Sequence, residues 1–297
     1  MAVQEPAPAM KLLVEGATER RLIPQLMKAQ GIAWDKADIG TRVPHIVSLG
    51  GVTNILKRGT FSNEFKSSSF KSTSLERLGV IVDANGNAPG RWEAIRQRCA
   101  SDLPDMGDLP EQIPAEGFVR QRADGSWLGV WIMPDNRQQG AAEEFLLDLV
   151  PDGATELVEY AKRCVDEARQ RGASLRDEDV TKSVVHTWLA WHEEPGPQLH
   201  EAVMRRLLDP QHPQSQPFIS WFTRLFALVL DGRLVRAGPS LAEDTAVASA
   251  GLEYVPGFLA LRVCVWGGGL GVRAAWGGIP QNRGCLVAPI REDPCGC

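Results

Sequence analysis

Runs of apolar residues that end abruptly at a polar side chain recur in the first half of the chain. Inside these runs apolar and polar positions do not alternate, which predicts strands covered on both faces, as in a parallel sheet. Segments with apolar residues at helical spacing follow each run, and this order is typical of an α/β domain. The three runs are LLVEG at 12–16, LGVIVDAN at 78–85 and GVWIMPDN at 129–136.

These elements predict an α/β domain over residues 10–150, with a mainly parallel, Rossmann-like sheet flanked by helices. A further strand is predicted at 45–49, and a hairpin where Asp124 and Gly125 separate two apolar segments. The serine-rich stretch 67–74 is typical of a surface loop. The predicted hairpin strands are Phe118–Gln121 and Trp127–Met133, and the predicted helices lie at 19–30, 52–57, 92–99 and 140–150.

The second half of the chain has a different pattern. No convincing strand is found between residues 154 and 230, and apolar residues repeat at helical intervals, which predicts a helical extension over 151–231. Four aromatic residues close together there are predicted to form a core rather than a ligand site. The repeating residues are Leu157, Tyr160 and Cys164, then Val180, Val184, Trp188 and Trp191; the four aromatic residues are Trp188, Trp191, Trp221 and Phe222.

The stretch 232–297 has an atypical composition. It contains no lysine, and the last 34 residues hold four of the six cysteines. Two interpretations are open: a lineage-specific tail, or a disordered or non-native end without a selected fold. Both are favoured over a functional domain, because the composition fits neither preceding region. The cysteines also lack the paired spacing of a zinc site.

Composition restricts the class of protein. The chain has 297 residues, of which 43% are hydrophobic and 23% charged, the balance of a soluble globular protein. The formal net charge of -5 provides no overall basic field for nucleic acid, so local basic surface would have to serve. No apolar run approaches a membrane span and no leader pattern is present, so we expect a cytoplasmic location.

Carboxylates follow three of the predicted buried strands: Glu15, Asp83 and Asp135. Ligands bind at the carboxyl ends of strands in parallel sheets, and carboxylates held together there favour a divalent cation. Structural interpretations remain open for each of them. Asp83 and Asp135 also suit turns, and Glu15 is the hardest of the three to explain by folding alone. Glu19 is more readily interpreted as a solvated helix carboxylate than as a ligand.

The sequences of these segments resemble motifs of the Toprim fold shared by topoisomerases, primases and overcoming-lysogenization-defect nucleases. A closer resemblance is to small bacterial proteins that pair a Toprim-like domain with a helical segment like HTWLAWHEEPG at 186–196. The resemblance covers roughly residues 10–230. It rests on VEGATE at 14–19, IVDAN at 81–85 and MPDN at 133–136, followed by Gly140, Glu143 and Glu144.

What the resemblance implies is a Mg²⁺ or Mn²⁺ ion held near a nucleic-acid phosphate. Glu15 would be a metal ligand or general acid/base, and Asp83 the first member of an Asp-x-Asp pair. The second member here is Asn85, a neutral oxygen ligand that lowers the charge of the site. Asp135 and Glu144 are expected to restore that charge. The predicted catalytic residues are therefore Glu15 and Asp83, and the predicted metal ligands are Glu15, Asp83, Asn85, Asp135 and Glu144.

Two functions of different classes follow from this site. The favoured one is a metal-dependent phosphodiesterase, a nuclease acting on DNA or RNA in phage defence or DNA repair. If an ATPase works beside it, that ATPase is a separate polypeptide, because the chain has no P-loop lysine motif. The alternative is a catalytically silent module that binds a nucleotide, a nucleic acid or a partner protein, and Asn85 favours it. Predicted phosphate contacts are Arg20, Lys57 and Arg137.

Overall fold

A computed structural model describes the protein at residues 10–34, 43–69, 75–230 and 233–234. All of these residues belong to one compact unit, Met1–Pro239. The predicted tail lies outside the described residues, apart from Arg233 and Leu234. These two pair with Val229 and Leu230 in a small antiparallel ribbon.

A five-stranded sheet in the order β2-β1-β3-β5-β4 forms the centre of the unit. Neighbouring strands are parallel except at the β4 edge, which confirms both the mainly parallel sheet and the antiparallel hairpin. The three central strands are buried along almost their whole length, as their unbroken apolar runs predict. The strands are β1 (Met10–Val14), β2 (His45–Ser48), β3 (Arg77–Asp83), β4 (Phe118–Gln121), β5 (Trp127–Met133), β6 (Val229–Leu230) and β7 (Arg233–Leu234).

Helices cover both faces of the sheet, so the fold is a Rossmann-like α/β architecture with a helical C-terminal part. None of the helices in the described ranges is long and apolar enough to cross a membrane. The helices are α1 (Ala17–Ala29), α2 (Val52–Ile55), α3 (Thr60–Ser69), α4 (Ala88–Asp102), α5 (Ala142–Leu147), α6 (Thr155–Gln170), α7 (Val180–Leu189), α8 (Leu199–Met204) and α9 (Gln216–Phe226).

One helix was not predicted. Helix α3 runs to Ser69, so the expectation of a loop from residue 67 is wrong for residues 67–69, and residues 70–74 lie outside the described part of the chain. Phe61 in the first turn of α3 is fully buried against the sheet. The packing of Phe61 outweighs the modest helix propensity of serine. The pattern of polar residues alone does not show this packing.

One face of the sheet is covered by α4 together with the α2–α3 segment. Trp92, Ile95 and Cys99 line the buried side of α4, within the helix predicted over 92–99. Burial, with a smaller effect from the charge of Asp102, raises the pKa of the Cys99 thiol to about 12. Cys99 is therefore an inert buried thiol, as its position on an apolar helix face predicts.

The other face of the sheet shares a single core with the helical part. Trp131 of β5 packs against Phe218 and Trp221 of α9, with ring centroids 5.4 and 5.7 Å apart. Gly129 of β5 allows α9 to approach the sheet this closely, because a Cβ on Gly129 would lie 2.5 Å from a methyl carbon of Leu225. Residues on both sides of position 150 belong to this core. The domain boundary predicted there therefore stays a prediction.

The apolar face predicted for α6 is wrong. Leu157 is 37% and Tyr160 51% exposed, whereas the helix buries Val158, Ala161 and Val165. Helix α6 carries two apolar stripes one residue apart, and the sequence pattern does not distinguish which one faces the core.

The predicted aromatic core is confirmed for three of its four members. Trp188, Trp221 and Phe222 are fully buried. Trp191 lies beyond the end of α7, is 40% exposed, and its ring centroid lies 5.4 Å from that of Tyr160. The apolar periodicity that predicts a buried Trp191 therefore continues beyond Leu189, the last residue of α7.

Candidate acidic centre

Glu15 and Asp83 lie side by side at the carboxyl ends of β1 and β3, which are neighbours in the sheet. The Glu15 carboxylate joins three elements, because Oε1 accepts a hydrogen bond from the Asp83 N–H at 3.0 Å and Oε2 one from the Val52 N–H at 3.1 Å. Val52 is the first residue of α2. The expected convergence of Glu15 and Asp83, at the ends of β1 and β3, on one edge of the sheet is therefore observed. Glu15 also has a structural role there.

The loop after β2 wraps around the main chain of Glu15. The Glu15 carbonyl oxygen accepts hydrogen bonds from the Gly50 N–H at 2.9 Å and the Gly51 N–H at 3.0 Å. Both glycines have positive φ, +74° and +121°, a conformation that residues with a Cβ rarely adopt. The Gly50-Gly51 pair therefore allows the chain to turn and present the Val52 N–H to the Glu15 side chain.

A two-residue bridge joins the end of β3 to the loop after β5. The Asn85 N–H donates to the Gly140 carbonyl at 2.7 Å, and the Gly140 N–H donates back at 2.8 Å. Asn85 has a φ of 49°, in the left-handed region that asparagine tolerates better than most residues. The bridge holds the start of α5, with Glu143 and Glu144, beside Asp83.

Asp83 lies within a cluster of carboxyl groups. Its carboxyl group makes no hydrogen bond to any described residue. Burial raises the pKa of Asp83 to about 8, and the charges of Glu19, Glu15, Glu143 and Glu144 add to the rise. The nearby Arg91 binds the main chain instead of the carboxyl group, since its Nε donates to the carbonyl of Asp83 at 2.9 Å. Five carboxyl groups thus share one edge of the sheet, and we call Glu15, Glu19, Asp83, Glu143 and Glu144 the acidic centre.

Glu19 belongs to this centre, so its interpretation as a solvated helix carboxylate is wrong. Only 5% of the residue is exposed, and its Oε2 accepts a hydrogen bond from the Gly16 N–H at 3.0 Å. Burial raises the pKa of Glu19; hydrogen bonds at the backbone of Glu19 and Gly16 oppose this, and the charges of Glu143 and Glu15 reinforce it. A glutamate at the third helical position after a glycine is the sequence signal, because that position reaches back to the N-cap.

Asp135 takes the turn role that the sequence left open. Its carboxylate accepts hydrogen bonds from the Arg137 N–H at 3.0 Å and from the Gln138 N–H at 2.7 Å, and it also binds the Gln138 side chain. Burial acts to raise the pKa of Asp135, but the bonds from Gln138 and Arg137 and the Arg137 charge hold it below its usual value. Asp135 is not among the charges that act on Asp83.

The other predicted residues divide between the centre and the surface. Glu144 is in the centre, where its Oε2 accepts a hydrogen bond from the Ala141 N–H at 2.7 Å. Asn85 contributes its main chain to the Gly140 bridge, and the residue is exposed. The predicted phosphate contacts Arg20, Lys57 and Arg137 are exposed, and none forms an ion pair with a carboxylate in the described ranges.

The donors of the acidic centre fit a hard divalent cation in their chemistry, because they are carboxyl oxygens, the ligands that Mg²⁺ and Mn²⁺ prefer. Their present orientation does not form a ligand sphere: within the described part of the chain, no three His, Cys, Asp or Glu residues are grouped to hold a metal ion. Glu15, Glu19 and Glu144 each direct an oxygen at a main-chain N–H instead. Binding a cation would therefore use their remaining lone pairs or require rotation of these side chains.

A comparison with protein families finds a match over most of the chain. The family model described as Protein of unknown function (DUF3226) matches residues 9–227. This range extends from the first strand to the end of α9, so the sheet, the acidic centre and the helical part all lie within it. No curated protein and no solved structure matches the chain.

Proposed function

The chain belongs to the family described as Protein of unknown function (DUF3226), and from that premise we propose that its acidic centre binds Mg²⁺ or Mn²⁺ and hydrolyses phosphodiester bonds of DNA or RNA. The observation that carries the proposal is Asp83. Asp83 is half-buried, its carboxyl group has no hydrogen-bond partner among the described residues, and the charges of four other carboxyl groups act on it. Such a group is stabilised either by a proton or by a cation.

The roles of the residues follow from their contacts. Glu15 is oriented by the Val52 and Asp83 N–H groups, so it offers its free lone pairs in a fixed direction. Asp83 holds a proton below about pH 8 and releases it when a cation binds. Glu143 and Glu144 are placed by the Asn85 bridge and complete the donor set. A bound cation supplies charge for the phosphate oxygens and lowers the pKa of a coordinated water.

The remaining expectations belong to the same proposal. Arg20, Lys57 and Arg137 are exposed cations for the nucleic-acid backbone, and Asp135 is assigned to its turn instead of to the ligand set. A role in phage defence or DNA repair, a separate ATPase partner and a cytoplasmic location are part of the proposal. So is the relationship to Toprim-fold nucleases.

The test is cleavage of linear DNA, supercoiled DNA and single-stranded RNA by the purified chain with Mg²⁺, Mn²⁺ or chelator. We expect metal-dependent cutting that Asp83→Asn and Glu15→Gln each lower by roughly 10²-fold or more, the usual effect of losing a group that acts in proton transfer. Glu156→Gln, an exposed change on α6, is the matched control and keeps full activity. Circular dichroism checks folding, because Glu15→Gln places an amide beside two N–H donors.

A silent binding module is the second candidate, and two observations favour it. Asn85 removes one charge from the site, and the carboxylates are turned towards main-chain N–H groups. This candidate predicts no cutting under any metal condition while oligonucleotide binding persists. Cutting that survives both Asp83→Asn and Glu15→Gln in folded protein would contradict the proposed active site.

A further inference from the structure

A cavity of about 300 Å³ opens between the start of α1 and helices α7 and α8. This volume is at the lower end of the range for small-molecule sites. Basic or protonatable side chains from three helices line it, together with one carboxylate from α5. The side chains that matter are Thr18, Arg21, Lys182, His186, His200 and Glu143.

The basic side chains of the cavity have no carboxylate within ion-pair distance in the described part of the chain. Among the described residues, none of Arg21, Lys182, His186 and His200 forms an ion pair. The Arg21 guanidinium is held in place by a neutral partner, since its Nη1 donates to the Gln198 Oε1 at 2.7 Å. Arg21 therefore keeps its full charge and the donors that do not face Gln198.

The first turn of α1 adds main-chain donors to the same wall. Ala17 and Thr18 line the cavity and are the first two residues of a helix of 13 residues. Their N–H groups have no partner within the helix, and the N-cap, Gly16, has no side chain to accept from them. The positive end of the helix dipole and the basic side chains therefore favour the same kind of ligand, an anion.

We propose that this cavity binds a phosphate group, either as free phosphate or as the terminal phosphate of a nucleic acid. Arg21 and Lys182 provide the charge, and the Thr18 hydroxyl and N–H, His186 and His200 provide further donors. Glu143 belongs both to the cavity and to the charges that raise the pKa of Asp83, so the bound phosphate lies next to the acidic centre. The proposal also gives a role to His186, which begins the segment HTWLAWHEEPG.

The test is a calorimetric titration of inorganic phosphate into the full chain at constant ionic strength, with chelator present. We expect saturable binding that Lys182→Gln and Arg21→Gln each weaken by roughly tenfold or more, the usual effect of losing a charged hydrogen-bond partner. Lys162→Gln is the matched control, because Lys162 is an exposed helical lysine that pairs with Glu159 outside the cavity. Its phosphate affinity should equal that of the wild type.

Competition identifies the source of the phosphate without any variant. If an oligonucleotide with a 5′-phosphate displaces inorganic phosphate and its 5′-hydroxyl counterpart does not, the occupant is a nucleic-acid end. If neither displaces it, the occupant is free phosphate. Absence of saturable phosphate binding, or equal weakening by Lys162→Gln and Lys182→Gln, overturns the proposal. Because chelator removes cations, these outcomes are independent of cleavage by the acidic centre.

Discussion

Asp83 couples the protonation of the acidic centre to the stability of the protein. Its pKa is about 8 in the folded chain and about 4 when unfolded, so between these values the folded state binds more protons. The free energy of unfolding therefore falls as pH rises from 4 to 8, by at most about 1.4 kcal/mol per pH unit from this group. Asp83→Asn removes the titration. We expect the variant to gain stability relative to the wild type as pH rises.

Urea unfolding at pH 5, 7 and 9 in chelator measures this difference. Asp135→Asn is the control whose stability difference from the wild type stays constant over this range, because hydrogen bonds lower the pKa of Asp135 despite its burial. The contribution of Asp135 is present at neutral pH and is lost as pH falls through its folded pKa, below about 4. A constant stability difference between Asp83→Asn and the wild type from pH 5 to 9 would contradict the assignment of Asp83.

Close packing of α9 on the sheet makes a second prediction, at the scale of elements. A Cβ on Gly129 of β5 would lie 2.5 Å from Leu225 Cδ2 of α9, and Leu225 is fully buried. We expect Gly129→Ala to destabilise the chain by about 1–3 kcal/mol, the usual cost of overpacking a core. Chemical denaturation of the single variant measures this loss.

A double-mutant cycle separates the clash from other effects. Leu225→Ala alone should cost about 2–5 kcal/mol through the cavity it leaves. Gly129→Ala combined with Leu225→Ala should cost clearly less than the sum, because the added methyl group then meets space instead of Leu225. Additive losses would show that α9 does not approach β5 as closely as described.

The elements that sequence predicts well are those whose packing is local. Unbroken apolar runs predict β1, β3 and β5, because a strand covered on both faces leaves no room for alternation. The buried face of α6 and the existence of α3 are not predictable in this way. Both depend on which distant residues cover them, and the apolar pattern of a helix with two stripes is compatible with either face.

The same distinction applies to the acidic centre. Glu15 and Asp83 could be predicted because each directly ends a buried strand, and parallel neighbours bring such residues to one edge. Asp135 has the same sequence context but lies in a turn, since the two residues after Asn136 supply N–H groups that its carboxylate accepts. The charge of Glu143 acts on Glu19, and the position of Glu143 at the start of α5 depends on the Asn85–Gly140 bridge, whose residues are 55 positions apart in sequence.

At the scale of the whole molecule, the proposed cation binding would link proton release to folding stability through Asp83. At pH 7 its carboxyl group is mostly protonated, so a cation that binds there displaces close to one proton. The apparent affinity for Mn²⁺ should therefore rise by about tenfold per pH unit up to about pH 8. Because a cation bound only to the folded chain stabilises it, the midpoint of thermal unfolding should rise with Mn²⁺ more at pH 8 than at pH 6.

Calorimetry of Mn²⁺ binding at pH 7 in two buffers of different ionisation enthalpy counts the released protons. We expect close to one proton per ion for the wild type and almost none for Asp83→Asn, which should also bind Mn²⁺ more weakly. Glu156→Gln, outside the centre, should release as many protons as the wild type. Tight Mn²⁺ binding with no buffer dependence would contradict binding of the ion at Asp83, because the proposed site releases the Asp83 proton at this pH.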